Sequence, residues 1–482
     1  MTVTFPIEGI VLDRAATANL HRQLYSQLRH LIEKRVLSSG SALPSTRLLA
    51  KDLRLGRNTV IAAYDQLALE GYLRMRQGTP PLVMDLPTHG GTAGRPRVEA
   101  GSQISARGRI MLAQPYHHGK PGLLAFHPGL PDPGNFPFNT WSKLLNRRAK
   151  LARHELFGTY HVAGYPPLCE AIARYLTASR GVNCTAAQIV VTNGAQSAFD
   201  LLARILIDPG DTVWMEEPGY YGACAAFLSA GAKLAALQVS DQGWGLDPPA
   251  TPPRLIFVTP SCHHPLGVTM PMEQRLNLIA MAGRWNSWII EDDYDSEYRF
   301  QGQPIPALQG IDASARVVYV GTFAKVLFPA MRLGFMVVPE AIRDGIVAAL
   351  SATGQFAPLL TQAALADFIN EGHLTLHLRR MRRLYAVRRQ YFIELCDEYL
   401  GEWLSLRRTE SGIQLVGLFH ADLDDRSIAA AAGKHGVNVS PLSIQYRHDR
   451  TRRGLVMGFA AADEKTTRNG MKRLREVFGA VI

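Results

Sequence analysis

Val317-Val318-Tyr319-Val320-Gly321-Thr322-Phe323-Ala324-Lys325, with Arg332-Leu333-Gly334 seven residues on, is the stretch from which the fold is read. Four β-branched or aromatic residues in a row read as a buried strand, and the Gly-Thr that follows marks its end. A lysine at that strand-to-loop junction is placed to form a Schiff base with an aldehyde, provided its amine is partly deprotonated. Thr322 and Arg332 suit a phosphate, one as hydroxyl donor and the other as a bidentate guanidinium. A lone lysine is usually a solvated surface residue. Here the flanking Gly-Thr and the downstream arginine favour chemistry.

Upstream, Trp288-Ile289-Ile290-Glu291-Asp292-Asp293-Tyr294-Asp295 reads as an apolar strand ending in carboxylates. Pyridoxal phosphate needs an anion beside its ring nitrogen and a donor near its phenolate oxygen, and Asp292 and Tyr294 suit those two tasks. The neighbouring Asp293 competes with Asp292 for the first. An acidic cluster also suits a hard cation, but the strand-end position and the lysine motif argue against metal. Ile189 to Gln196 (IVVTNGAQ) reads as strand, glycine turn and helix start, with backbone N–H groups free to meet a phosphate. Glu216-Glu217-Pro218-Gly219-Tyr220 adds a loop aromatic able to stack on a pyridine ring, or else a core tyrosine. From Leu123 onward short apolar runs alternate with helical patterns, the mark of an α/β domain.

The N-terminal block is of another kind. Leu20, Leu24, Leu28, Leu31, Ile32 and Val36 recur at helical spacing after Asn19, the expected N-cap. Ser45 is expected to cap a second helix that buries Leu48, Leu49 and Leu53. Leu55-Gly56 then turns the chain into a third helix opening near Asn58-Thr59, with Val60, Tyr64 and Leu67 buried. Tyr72 to Arg76, Gln77-Gly78 and Leu82-Val83 follow as strand, turn and strand. Three short helices and a hairpin describe a winged helix-turn-helix, whose third helix reads the major groove. Arg57, Asn58 and Thr59 stand at that helix's start and Arg47 on the helix before it; each taken alone also reads as an ordinary solvated residue. Arginine pairs with guanine, asparagine with adenine, and the basic side chains neutralise phosphates. Charge agrees: ten Lys or Arg against four Asp or Glu between Leu20 and Pro80 give +6 of the chain's net +11.

Both blocks resemble known families. Leu24-Tyr25, Leu43-Pro44-Ser45-Thr46-Arg47, Leu49-Ala50, Arg57-Asn58-Thr59-Val60, Ala63-Tyr64 and Leu67 to Leu73 resemble the GntR family of bacterial regulators, although the wing reads Gly78-Thr79-Pro80-Pro81-Leu82 in place of a glycine pair and an aromatic. From Phe126 to the C-terminus the motifs, in their order, resemble fold-type I aminotransferases. That resemblance implies an internal aldimine at Lys325, ring-nitrogen pairing at Asp292, phenolate contact from Tyr294 and ring stacking by Tyr220. It implies phosphate contacts from Ala195, Gln196, Thr322 and Arg332. His264-Pro265-Leu266-Gly267 stands where such enzymes carry Asn-Pro-x-Gly, which puts His264 at a cofactor contact. Gly454 falls where the arginine for a substrate carboxylate is expected, leaving the adjacent Arg453 as its stand-in.

The fusion resembles the MocR subfamily of GntR-type regulators. It implies a multidomain chain: a winged helix-turn-helix over residues 1–83, a Gly-, Pro- and Arg-rich linker over 84–121, and an aminotransferase-like α/β body over 122–482. It also implies a head-to-tail homodimer on paired DNA half-sites, and an effector that is pyridoxal phosphate itself, an amine or an amino acid forming an external aldimine. The expectation is a regulator rather than an enzyme; the alternative is a working aminotransferase with an accessory DNA-binding head. Five scattered cysteines without a C-x-x-C pair, no secretory pattern at the N-terminus and no bilayer-length apolar run lead to an expectation of a reduced, cytoplasmic protein, not bound to membrane or metal.

Overall fold

The computed structural model describes residues 10–76, 78–85, 104–113, 125–151, 153–302, 305–448 and 452–481. The chain divides into two compact units, Met1–Ser102 and Gln103–Ile482.

In the first unit, helices α1 (Leu20–Glu33), α2 (Thr46–Asp52) and α3 (Arg57–Leu69) precede an antiparallel pair, β1 (Leu73–Arg74) and β2 (Leu82–Val83). The Ser45 hydroxyl accepts from Leu48 N at 3.3 Å and so caps α2. Asn19 holds the N-cap position of α1, but its side chain makes no capping hydrogen bond. Leu24, Tyr25, Leu28 and Ile32 of α1 meet Leu49, Val60, Ala63, Tyr64 and Leu67 in one core. Tyr64 donates to Pro44 O at 2.9 Å, tying α3 to the approach of α2. Two expected core residues lie outside. Arg35 adopts φ 57°, which ends the helical run, so Val36 is half exposed and Leu37 is buried instead. In α2 the short helix turns Leu49 and Ala50 inward and leaves Leu48 exposed, while Leu53 is only partly buried.

Inside the stretch expected as linker, Ala106–Leu112 form a helix capped by Ser105. It packs against the helix Tyr221–Ser229, and none of its residues is buried. A serine cap before Ile110-Met111-Leu112 is the local signal that the surrounding composition masks. The rest of that stretch, apart from 84–85 and 104–113, lies outside the described residues.

The second unit is built on an eight-stranded sheet: β3 (Ile189–Thr192), β4 (Thr212–Glu217), β5 (Lys233–Ser240), β6 (Gly243–Trp244), β7 (Leu255–Val258), β8 (Trp288–Asp293), β9 (Val317–Thr322) and β10 (Gly334–Val337). Their order is β3-β10-β9-β8-β7-β4-β5-β6. β4, β5, β7, β8 and β9 run parallel, and β10 is antiparallel to both β9 and β3. Strands that are apolar on both faces need covers on both sides, and β3, β7 and β10 are buried throughout. A second sheet takes β11 (Leu404–Leu406), β12 (Gln414–Phe419), β13 (Ser440–Pro441) and β14 (Gly454–Gly458) in the antiparallel order β11-β12-β14-β13. No described helix is long and apolar enough to cross a membrane.

The parallel arrangement brings the carboxyl ends of β3, β4, β7, β8 and β9, and the start of β10, to one edge of the sheet. Ligands of open α/β sheets gather at such an edge. Glu216, near the end of β4, is fully buried and accepts from Thr259 N (2.8 Å), Thr259 Oγ1 (2.7 Å) and Trp244 Nε1 (2.7 Å). Burial nonetheless pushes its carboxyl up to about 8. The native state therefore binds this proton more tightly than the unfolded chain does, whose glutamates titrate near about 4.3. The stability it contributes is full below that ordinary value and is lost as pH rises toward about 8. Glu216→Gln keeps an acceptor there and is expected to flatten the fall in melting temperature over that interval, read by calorimetry at stepped pH.

Candidate cofactor site

A cavity of about 340 Å³ opens at the carboxyl edge of the sheet. Lys325, three residues past β9, lines it; its Nζ donates to Gly129 O at 2.9 Å. Burial pulls the lysine's pKa below its ordinary value, while Asp295 and Asp292 pull the other way. A larger neutral fraction is what a nucleophilic amine requires. Gly129 has φ +63°, and a Cβ there would sit 2.4 Å from Nζ. Gly129→Ala is expected to push the amine from its place and weaken its reaction with an added aldehyde by about tenfold or more, measured by spectrophotometric titration.

Asp292 and Asp293 are adjacent at the end of β8 but face different surroundings. Asp293 Oδ2 accepts from Arg180 Nε (2.8 Å) and Tyr319 OH (2.7 Å) and is not among the cavity's lining residues. Asp292 lines the cavity, and its Oδ1 is buried with no hydrogen-bond partner among the described residues. Burial, then the neighbouring Asp293, push its carboxyl well above the usual range. A buried carboxyl of this kind lacks a cationic N–H donor, which a pyridinium supplies. Tyr294 also lines the cavity, with its hydroxyl 3.9 Å from Cys262 Sγ. The His264 ring stands edge-on to Tyr220 (centroids 5.5 Å apart) and to Tyr294 (5.9 Å). Burial pushes the Tyr220 hydroxyl up to about 12. Tyr221 lines the cavity as well, so both aromatics of this loop serve it. His263, by contrast, is fully buried against Trp244 and Glu216.

At the other end, Gly194 (φ 88°) starts the helix Ala195–Leu206, so the first N–H groups of Ala195 and Gln196 point out of the helix. Thr322 and Arg332 line the same region, and the Arg332 guanidinium donates to Asn193 O at 3.1 Å. Gly334 admits this approach, because a Cβ there would lie 2.8 Å from the Gly194 backbone. Helix start, hydroxyl and guanidinium together make an anion cradle.

The cavity thus brings together Lys325, Asp292, Tyr294, Tyr220, Ala195, Gln196, Thr322, Arg332 and His264. Arg453 is placed elsewhere: it pairs with Asp422 at 3.1 Å and does not line the cavity. Gly454 does not line it either; its α-carbon packs against β12, where a Cβ would meet Gly417 O at 2.1 Å. Val456, two residues on and on the same face of β14 as Gly454, is the strand's lining residue, and alternation turns Arg453 to the opposite face. Sequence reasoning also missed His127, Pro128, Gly129, Gln414, Asn438, Ser440 and Gln445, which complete the walls. These residues carry no local motif; long-range pairing of the second sheet brings most of them in. Among the described residues, no group of three or more His, Cys, Asp or Glu side chains is arranged to hold a metal.

In the N-terminal unit, Arg57 and Asn58 are exposed and Thr59 is half-buried on the first turn of α3. Arg57 Nε lies 3.5 Å from Thr46 Oγ1, and Arg47 is exposed on α2. The four therefore share the region where the two helices meet.

Comparison with known proteins matches residues 20–83 to the model of bacterial regulatory proteins of the gntR family and residues 130–474 to that of aminotransferase class I and II. The chain is 50% identical to the probable rhizopine catabolism regulatory protein MocR of Rhizobium meliloti, over 98% of this chain and 96% of that one. It is 30% identical to the pyridoxine biosynthesis transcriptional regulator PdxR of Corynebacterium glutamicum, over 95% and 96%. Among solved structures, the kynurenine aminotransferase of Pyrococcus horikoshii superposes with a TM-score of 0.68 at 26% identity, covering 74% of this chain and 91% of that one.

Proposed function

The chain belongs to the MocR-type regulators of the GntR family, and from that premise we propose that its body holds pyridoxal phosphate as the sensing group. The protein is a transcription regulator with a DNA-binding head and an aminotransferase-like body; relatives of the same build are named regulators, which sets aside the reading as a working aminotransferase. The observation that carries the cofactor reading is the buried Asp292 Oδ1, without a hydrogen-bond partner among the described residues, in the same cavity as Lys325 and the anion cradle.

Asp292 would hold the ring nitrogen, Tyr220 the ring face, and Tyr294 with His264 the phenolate side. Ala195 and Gln196 N–H groups, Thr322 and Arg332 would hold the phosphate, and Lys325 the aldehyde carbon. When bound, the cofactor supplies a carbonyl that reacts reversibly with primary amines. Burial lowers the pKa of the Lys325 amine and so raises its neutral fraction, and Gly129 O orients it.

Arg47, Arg57, Asn58 and Thr59 meet DNA, the last three at base edges in the major groove. The protein acts in the cytoplasm as a head-to-tail homodimer whose two heads read two half-sites. Either pyridoxal phosphate itself or an amino compound that reacts with it acts as effector, by favouring one arrangement of the dimer over another. The test is titration of DNA from upstream of the protein's own gene with cofactor-loaded and cofactor-stripped protein at one fixed salt concentration. An affinity or footprint that changes with the cofactor is expected, and the Arg57→Ala, Asn58→Ala double variant should lose specific binding. Identical curves for loaded and stripped protein, with and without added amines, would sink the sensor reading.

A further inference from the structure

A second cavity, of about 860 Å³, lies in the same body and shares no lining residue with the cofactor cavity. It is formed by the end of the helix Pro166–Arg180, the start of the helix His373–Leu400 and the loop that follows β8. Its size is that of sites for small organic ligands.

Among the described residues, five arginines line it, Arg174, Arg180, Arg299, Arg379 and Arg382, against one carboxyl, Glu297. Two of the five are matched by acids: Arg180 pairs with the buried Asp293 at 2.8 Å, and Arg299 pairs with Glu410. Arg174 lies 3.9 Å from Glu170, an exposed pair that contributes little. Arg379 and Arg382 are exposed and have no ion-pair partner among the described residues. Arg382 Nε donates to Glu297 O at 3.0 Å, which anchors that guanidinium. Uncompensated guanidinium groups gathered at one concave surface attract an anion.

The wall also holds polar atoms in want of partners. Ser296 Oγ, Glu297 Oε2 and Arg299 Nε are buried and have no hydrogen-bond partner among the described residues. Such atoms call for a ligand. Tyr175 OH donates to the other oxygen of Glu297 at 2.9 Å, and burial pushes this carboxyl up to about 7. An anion beside it favours the protonated form, which donates rather than repels. Ile305, Ile369 and Leu378 supply apolar surface for a carbon skeleton. A bare inorganic ion leaves that surface and most of the volume unused, and a DNA duplex meets only the exposed arginines.

We propose that this cavity is a second ligand site of the body and takes a small organic phosphate, of the mononucleotide or sugar-phosphate class. A phosphate presents several oxygens to donors that reach it from different directions, and a guanidinium fork matches two of them at once. Arg379, Arg382 and Arg174 hold the phosphate, and the three apolar side chains meet the remainder. The inference does not depend on what fills the other cavity. Arg180 nonetheless joins the two, since it lines this cavity and holds Asp293, the residue next to Asp292.

The test is calorimetric titration of the full-length protein with adenosine monophosphate and with ribose phosphate, against adenosine, ribose and inorganic phosphate as controls. At least one of the two organic phosphates is expected to bind, more tightly than inorganic phosphate by about tenfold or more, while adenosine and ribose give no heat. Which of the two binds more tightly separates the two classes. Arg379→Gln with Arg382→Gln alters exposed side chains, leaves the fold intact, and is expected to weaken binding by about tenfold or more. Arg332→Ala in the cofactor cradle, and Arg57→Ala with Asn58→Ala in the head, should leave it unchanged. The inference is overturned if neither organic phosphate binds, if the double Gln variant binds as the natural chain does, or if binding is lost with Arg332 or with Arg57 and Asn58. It is overturned equally if inorganic phosphate binds as tightly as both organic ones, which marks an adventitious ion only. A double Gln variant that loses affinity for DNA, in a protein to which neither phosphate binds, would give the two arginines to the DNA backbone instead.

Discussion

Lys325→Ala protein, incubated with pyridoxal phosphate and then reduced with borohydride, is expected to carry no covalently attached cofactor in the cavity, whereas the natural chain is labelled at Lys325. The argument is geometric first. Lys325 Nζ is 2.9 Å from Gly129 O, and Lys325 and the buried Asp292 line the same cavity. It is chemical second, because burial lowers the amine's pKa and a neutral amine is the form that bonds to an aldehyde carbon. Among the described residues no other lysine lines the cavity, so none of them replaces it. The phosphate cradle survives the substitution, and weak reversible binding of the cofactor should persist, visible as an inhibitable shift in melting temperature. Mass analysis of peptides after reduction reads the result: label at Lys325 in the natural chain and none in the cavity of the variant. Label retained at equal yield in the variant's cavity would remove Lys325 from its role. The same variant separates regulation from binding, since its DNA affinity should no longer respond to added amines.

The largest stability effect is expected at Arg180→Met. Arg180 lies within the body with its Nε on Asp293 Oδ2 at 2.8 Å, its other nitrogens on Ser261 Oγ (2.6 Å) and Ile305 O (3.1 Å), and its side chain 6% exposed. Asp293 is more deeply buried still, at 1%. Methionine fills much of the volume but leaves a buried carboxylate without its cation, a change that costs about 3–5 kcal/mol. Denaturant melts should therefore show a body that unfolds at clearly lower denaturant with an unchanged slope. Adding Asp293→Asn to the same chain removes the stranded charge and should recover part of the loss, a coupling that a double-mutant cycle measures. Additive losses would show that the ion pair is not what holds this region. The pair also keeps Asp293 turned from the cavity while Asp292 faces it, so the single variant should bind pyridoxal phosphate more weakly than its stability alone accounts for.

Much of this site is legible in the sequence because each of its main groups sits at the end of its own strand. The lysine follows β9, the aspartate ends β8, the glycine turn follows β3, and a parallel sheet has one carboxyl edge. Local patterns of a few residues therefore converge without any knowledge of long-range contacts. Arg453 fails for the complementary reason. A reading along the strand sees an arginine next to the expected position, but the pleat decides which residues face inward, and β14 turns Val456 to the cavity while Arg453 reaches Asp422. Gln414, Ser440 and Gln445 are invisible for a related reason: their neighbours in the cavity lie far away in the chain. The choice of Asp292 over Asp293 likewise needs Arg180, which no spacing rule connects to β8. In the head, Val36 and Leu48 satisfy the helical period but are not buried, since a positive φ at Arg35 ends one helix early and α2 is too short to follow an ideal stripe.

The hydrogen bond from Lys325 Nζ to Gly129 O has a mechanical meaning as well as a chemical one. Ala125 to Gly129 are the first residues of the main body after the head and the Ala106–Leu112 helix in chain order, and they are held by few main-chain ties, among them Gly458 N to Phe126 O at 2.9 Å and Asn438 N to Ala125 O at 3.0 Å. Any bond made at Nζ withdraws a donor from Gly129 O, and a carbonyl deprived of its partner must find water or shift. The Lys325 amine is thus one of the fastenings of the segment 125–129.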